Sequence, residues 1–207
     1  ALATDLGKYT DLLQKTYEFA YTDTKLGLTK DCFSKKVFST RGSQSYLKSH
    51  LNNTSNQKTW LAFLDQKLIG AVTCIIKNDI EAELTGFYVL PQNQGQGIGK
   101  RLYDLALDFA NNRDILLDIY LHNKKTIKMY KRWGWEIDKN RGNKGYFTRH
   151  WEEWPKELEA KCVYMILKRL KNDFVCIYIL KLIKSHLRGG KGKKLSLSKL
   201  IHHINDR

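Results

Sequence analysis

Prolines are scarce: Pro91 and Pro155 are the only two in 207 residues, which argues against long extended linkers. Cysteines are few and unpatterned. Cys32, Cys74, Cys162 and Cys176 show no close pairing, no Cys-x-x-Cys and no metal-type spacing, so neither a disulfide framework nor a metal site is expected. Reduced thiols in a cytoplasmic protein are the expectation, and Cys74, inside an apolar run, reads as a buried strand residue rather than a nucleophile. No apolar run approaches the ~20 residues of a membrane span, and no signal peptide is visible. No motif with interleaved aromatic residues for RNA or DNA is present. Acidic residues are short as well, with 21 Asp and Glu against 36 Lys and Arg, a net charge of +15.

That excess is unevenly placed. Residues 171–207 hold nine Lys/Arg and two Asp/Glu, whereas residues 1–170 hold 27 and 19. The division predicts a globular domain over 1–170 and a basic C-terminal extension over 171–207. Hydrophobic content of 42% supplies one sizeable core. In the extension, the apolar run at 174–183 is well short of a membrane span. A flexible basic linker at 188–194 follows, then an amphipathic segment at 195–204. Three readings stand for it: a helix packed on the domain or a partner, a membrane-surface contact, or nucleic-acid binding.

The richest stretch is residues 87–137. An apolar strand, Phe87-Tyr88-Val89-Leu90, runs through Pro91 into the turn Gln94-Gly95-Gln96-Gly97-Ile98-Gly99. Bare glycine backbone lets successive N–H groups face a phosphate where a helix begins. Apolar residues then fall at Leu102, Leu105, Ala106 and Phe109, a helical stripe. Ile115-Leu116-Leu117-Asp118-Ile119-Tyr120-Leu121 reads as a strand. Asn123 caps a short helix from Thr126 to Trp133, Gly134 stops it, and Trp135-Glu136-Ile137 resumes as strand.

Two other phosphate-binding patterns fail here. A P-loop needs Lys-Ser/Thr after its last glycine, and Gly99-Lys100 is followed by Arg101. A dinucleotide fingerprint wants Gly-x-Gly-x-x-Gly after an earlier βαβ start, and although Asp118 lies at the ribose-binding distance, the glycine spacing is wrong.

Gln94-x-x-Gly97-x-Gly99 resembles the pyrophosphate loop of the GNAT superfamily of acyl-CoA-dependent N-acetyltransferases, and Val89-x-Pro91 resembles the strand end before it. Asn123, Ile127, Tyr130, Gly134 and Trp135 are similar to that family's second half. The likeness is sharpest over 67–137 and looser out to about residue 170. It implies an α/β (α+β) fold with a mixed, mostly antiparallel sheet flanked by helices, and acetyl transfer from acetyl-CoA to a primary amine by direct attack in a ternary complex. A small amine or polyamine is favoured as acceptor, and a protein amine is the further option. A non-catalytic CoA-binding module, or a scaffold whose basic tail engages nucleic acid or a membrane surface, is the alternative.

The resemblance also assigns residues. Tyr88, Val89, Gln94, Gly95, Gln96, Gly97, Ile98, Gly99, Lys100 and Asn123 would hold the coenzyme, and Tyr130 would protonate the departing thiolate. A phenol suits that step, since its basicity is close to that of the thiolate. Tyr130 also reads as a core aromatic packed on Ile127, and Asn123 as a cap alone. Where family members often carry a strand glutamate as base, this chain has Thr85; Glu83, two residues earlier on the same face, is the candidate and Glu81 the reserve. The basic run of Lys124, Lys125, Lys128, Lys131 and Arg132 reads as a solvated face or as a partner for the ribose phosphate. Trp151, Glu152, Glu153, Trp154 and Glu157 read as surface or as a cation-binding acceptor patch.

Upstream, a first helix is expected over 4–22, capped by Thr4 or Asp5. A second helical region spans 33–51 with a break at Arg41-Gly42-Ser43, and a hairpin over 60–76 turns at Asp65-Gln66-Lys67. Family members usually begin with a strand before the first helix. Only Ala1-Leu2-Ala3 precedes Thr4, so that strand is expected to be missing or truncated, its sheet edge exposed or filled by another chain, a homodimer being one such arrangement.

Overall fold

Two periodicities in the sequence become helices on both faces of one sheet in the structure. A computed structural model describes residues 1–169; the expectations for residues 171–207 fall outside the described residues. Helix-period segments form α1 (Leu6–Tyr21), α2 (Lys35–Phe38), α3 (Arg41–His50), α4 (Ile98–Ala110) and α5 (Lys124–Arg132). Alternating and apolar segments form β1 (Gln57–Leu64), β2 (Lys67–Ile76), β3 (Glu81–Val89), β4 (Asp114–Tyr120), β5 (Glu136–Ile137), β6 (Tyr146–Arg149) and β7 (Ala160–Leu167). The seven strands make one sheet in the order β1-β2-β3-β4-β7-β5, with β6 also on β7. Every pairing is antiparallel except β3 with β4.

Side-chain alternation along β2 divides the core. Ile69 and Ala71 face α1 together with Tyr9, Leu12, Leu13 and Tyr21, and Val72 and Cys74 face α4 with Leu102 and Ala106. Each helix thus covers one face of the sheet, and β2, buried on both, reads as a continuous apolar run.

Local chemistry moves several expected boundaries. The β1–β2 turn is only two residues long: Asp65 and Gln66 both take positive φ, 46° and 61°, and Lys67 already pairs with Leu64. The helical region before β1 breaks at Ser39-Thr40, not at Arg41-Gly42-Ser43. Thr40 Oγ1 accepts from the Ser43 amide at 3.3 Å, so those three residues become the capped first turn of α3. Asp5 precedes α1, but its carboxylate serves the Leu2 amide at 2.8 Å within a short 3-10 turn rather than the helix. Among the described residues no strand precedes α1; the Ala1 amino group reaches the Thr59 carbonyl of β1 at 3.2 Å.

Candidate active site

Strands β3 and β4 pair only through Glu81 with Asp114, Ala82 with Ile115 and Glu83 with Leu116. Past that point β3 carries a bulge: Ala71 of β2 faces Tyr88 while Thr73 faces Thr85, so β3 holds one residue more than its partner. Gly86, at φ +57°, supplies the bend. The two strands part, and a cavity of about 1100 Å³ opens between residues 85–89 and residues 117–120. Unpaired main chain from both strands is thereby offered to whatever fills the gap.

The glycine turn sits at one end of this cavity. Gly95 and Gly97 adopt φ of +78° and +79°, the left-handed region that favours glycine, and a Cβ on either would meet nothing within 4 Å. Gly97 is the N-cap of α4 and brings no side chain to the helix end. Among the described residues, the amides from Gly95 to Lys100 donate to no protein acceptor. Six free N–H groups at a helix start make an electropositive turn that suits an anionic group. Gln94, Gly95, Gly97, Gly99 and Lys100 line the cavity. Gln94 Nε2 donates to the Val89 carbonyl at 3.0 Å, and Lys100 pairs with Asp104 at 2.7 Å. Gln96 and Ile98 do not line it: Gln96 reaches back to the Gln92 carbonyl at 3.4 Å, and Ile98 packs into the core.

Helix α5 supplies the opposite wall. Asn123 caps it, its Oδ1 accepting from the Thr126 amide at 3.2 Å, and the residue also lines the cavity, so cap and site wall coincide. Tyr130 lies about two turns on from Asn123, 6% exposed, edge-on to Trp135 at 5.3 Å and to Trp133 at 6.1 Å. Burial pushes its hydroxyl above the ordinary tyrosine range, which keeps it protonated and able to donate. It is both a core aromatic, beside Ile127, and a cavity wall. Of the basic run, Lys125 and Arg132 line the cavity while Lys124, Lys128 and Lys131 do not.

The remaining walls come from residues far apart in sequence. Glu83 lines the cavity and is ion-paired with Lys77 at 3.1 Å; Glu81 does not, and is held by Arg141 at 2.9 Å. Trp151, Glu152 and Glu153 line it too, whereas Trp154 is buried with its indole N–H on the Cys32 carbonyl at 3.0 Å, and Glu157 is elsewhere. Tyr17, Tyr21, Tyr88 and Tyr120 form a packed aromatic wall, the Tyr21 and Tyr88 hydroxyls 3.1 Å apart and the Tyr21 and Tyr120 rings 4.4 Å apart. Beside it, Arg149 of β6 binds Asp118 of β4 at 2.8 Å. Sequence reasoning passed over Arg149 and Tyr120, named Tyr88 only as a coenzyme contact, and brought in Asp118 only as a failed ribose contact. The available signal was a single acid in the otherwise apolar Ile115–Leu121 run. Burial pushes the Cys74 and Cys162 thiols up to about 12, so neither is a nucleophile.

A family model described as "Acetyltransferase (GNAT) family" matches residues 11–135, more than half of the chain. The chain belongs to the GNAT acetyltransferase family. Solved GNAT folds superpose on most of it. The PaiA N-acetyltransferase of Thermoplasma acidophilum, in complex with coenzyme A, is 17% identical with a TM-score of 0.52, covering 82% of this chain and 96% of that one. The ribosomal-protein-S18-alanine N-acetyltransferase of Escherichia coli is 18% identical, TM-score 0.52, with coverages of 81% and 90%. A spermidine N-acetyltransferase SpeG chimera from Vibrio cholerae and hSSAT is 19% identical, TM-score 0.51, with coverages of 81% and 92%. At these identities the likeness is one of fold. No curated protein sequence matches the chain.

Proposed function

We propose that this GNAT protein moves an acetyl group from acetyl-CoA to a primary amine by direct attack. The observation that carries the reading is the coincidence, in one cavity, of the free amides from Gly95 to Lys100, the parted strands β3 and β4, and the Tyr130 phenol. In this reading the turn and the start of α4 hold the coenzyme's diphosphate, and the main chain at Tyr88 and Val89 pairs with its amide-bearing arm once Gln94 releases the Val89 carbonyl. The bound thioester supplies the activated acetyl group. Asn123 fixes the start of α5 beside it, and Tyr130 Oη gives its proton to the leaving sulfur.

The acceptor then enters past the tyrosine wall. Tyrosine faces attract a cation, and the carboxylates of Glu83, Asp118, Glu152 and Glu153 add negative charge on that side. A small amine or polyamine suits such a cavity; a lysine side chain or chain N-terminus is the protein counterpart. Among the solved folds above, one is named for spermidine and one for a ribosomal-protein alanine, which spans the same range. An amine at neutral pH is charged, and reaching the attacking form costs about 4 kcal/mol for three pH units, so a carboxylate that takes the proton is needed. Glu83 is the strand candidate from sequence. We place the reaction in the cytoplasm, where the buried thiols Cys32, Cys74 and Cys162 stay reduced.

The test is release of free CoA thiol from acetyl-CoA across a panel of propylamine, putrescine, spermidine, tyramine and a lysine-bearing peptide. Amine-dependent release supports the reading. Tight coenzyme binding with no release for any amine overturns it in favour of a non-catalytic CoA-binding module.

A further inference from the structure

We propose that Asp118, set in place by Arg149 and flanked by Tyr120, is the carboxylate that anchors and deprotonates the acceptor amine. This rests on the acetyl-transfer reading above and assigns its missing base.

Glu83 and Asp118 are both cavity carboxylates, but they stand at different points along the parting strands. Glu83 lies on the last rung where β3 and β4 still pair, opposite Leu116, and is engaged by Lys77. Asp118 lies two residues beyond that rung, in the part of β4 that has left β3. It shares the sheet face of Leu116 and Tyr120, whereas Leu117 and Ile119 face the α4 side. The tyrosine wall surrounds this stretch: Tyr21 packs on Tyr120 at 4.4 Å and reaches Tyr88, and the Asp118 charge raises the hydroxyls of Tyr17 and Tyr21, whose shifts burial dominates. Tyr130 and Asp118 both line the cavity, and both act on the Tyr21 hydroxyl.

One further observation points to a ligand at this spot, and the exposure of Asp118 leaves it reachable: its Oδ1 accepts from Arg149 Nη2 at 2.8 Å, and Oδ2 is open to solvent or substrate. Tyr120 is 1% exposed, and its hydroxyl is the buried side-chain polar atom without a hydrogen-bond partner among the described residues. Leaving such a group unpaired is unfavourable, and a ligand that supplies the partner removes that cost. An ammonium has three N–H donors; in this proposal Asp118 Oδ2 accepts one, the unpaired Tyr120 hydroxyl stands on the same cavity wall, and the tyrosine faces add cation–π attraction.

Arg149 is the positioning residue. Its guanidinium lies 5.5 Å from the Tyr120 ring centroid and 5.4 Å from that of Phe147. Burial works against its charge, but Asp118, with smaller help from Tyr120, lifts its pKa above the ordinary arginine range, so it stays cationic and fixes one carboxylate oxygen.

The step balances as follows. Asp118 Oδ2 takes one proton from the bound ammonium and passes it to solvent. The neutral nitrogen's electron pair bonds to the thioester carbonyl carbon, and the carbon–sulfur pair leaves on sulfur. Sulfur takes the Tyr130 proton, and the surplus proton on nitrogen restores the phenol through Asp118 and solvent.

The experiment compares Asp118→Asn, Glu83→Gln, Arg149→Lys and Asp118→Asn/Arg149→Met in the full chain, using the best amine of the panel. Acetyl-CoA affinity by calorimetry reports that each variant is folded. Expected is a 100-fold or larger fall in kcat/KM for Asp118→Asn with loss of the acidic limb of its pH profile, at least tenfold more than for Glu83→Gln. Arg149→Lys retains part of the activity with an altered limb. If Asp118→Asn alone fails to bind acetyl-CoA, the double variant, which strands no charge, carries the same expectation. Equal activity of the wild type and the folded Asp118 variant, or a larger loss in Glu83→Gln, overturns the assignment while acetyl transfer stands. A wild type that binds acetyl-CoA but acetylates no amine overturns both.

Discussion

Glu83 on β3 and Leu116 on β4 are the last register partners of the only parallel pair in the described sheet. The candidate active-site cavity begins where their pairing ends. The cause is on β3, at the Gly86 bulge, which is wedged against a residue of α1: a Cβ at Gly86 would lie 2.5 Å from Tyr9 Oη. At φ +57° a side chain is strained as well.

Gly86→Ala is therefore expected to destabilise the fold by ~2–3 kcal/mol, read as a lower urea midpoint. Tyr9→Phe in the same chain removes the clashing oxygen, so the double variant should lose less than the two single losses combined. Strict additivity would show that the clash is not the cause.

Tyr130→Phe keeps the ring against Trp133 and Trp135 and removes only the proton donor. With acetyl-CoA affinity held within about threefold, kcat should fall ~10²-fold or more. An unchanged kcat would assign Tyr130 to the core alone.

Gly97→Ala tests the glycine turn. Space is open around Gly97, so the cost is in the backbone: φ +79° disfavours alanine by ~1–2 kcal/mol. Where the turn relaxes to relieve it, the amides lose their convergence. Acetyl-CoA Kd should rise roughly five- to thirtyfold, with a thermal midpoint close to wild type.

His50 gives the protein a pH dependence of stability. It is 2% exposed, its Nδ1 lies 3.0 Å from Tyr9 Oη, and the Tyr46 ring packs on it at 4.4 Å. Burial lowers its pKa from 6.5 to about 4, and the Glu83 charge offsets this only slightly. The unfolded chain therefore binds a proton between these values that the folded chain does not. The contribution is fully retained above pH 6.5 and declines as pH falls, by about 3 kcal/mol at pH 4. Urea titrations from pH 7 to pH 4 should show this slope, and His50→Gln should flatten it.

The legible parts of the site were those carried by one short stretch of chain. Gly95, Gly97 and Gly99 announce a bare turn because only glycine tolerates those dihedrals, and Asn123 announces a helix start because its side chain caps the next turn. Thr40 shows the limit: its capping role was hidden because a glycine at 42 reads as a breaker, yet sits harmlessly in a capped first turn. Asp118 and Arg149 show it more strongly, being 31 residues apart and joined only because β4 and β6 both lie against β7. The run Tyr17-x-x-Ala20-Tyr21 only loosely resembles small-amine and polyamine acetyltransferases, and no local pattern marks which helix face will look onto a gap between strands.

Sequence alone determined the glycine turn before α4, the helix-and-strand order and the placing of Tyr130 on a short capped helix, because dihedral preference, capping and side-chain period act over a few residues. Only tertiary structure decided where β3 leaves β4, which acid meets the opened space and which hydroxyl is left without a partner. Those follow from strand register and from a bulge pressed against a distant helix, quantities set by contacts between segments that sequence order keeps apart.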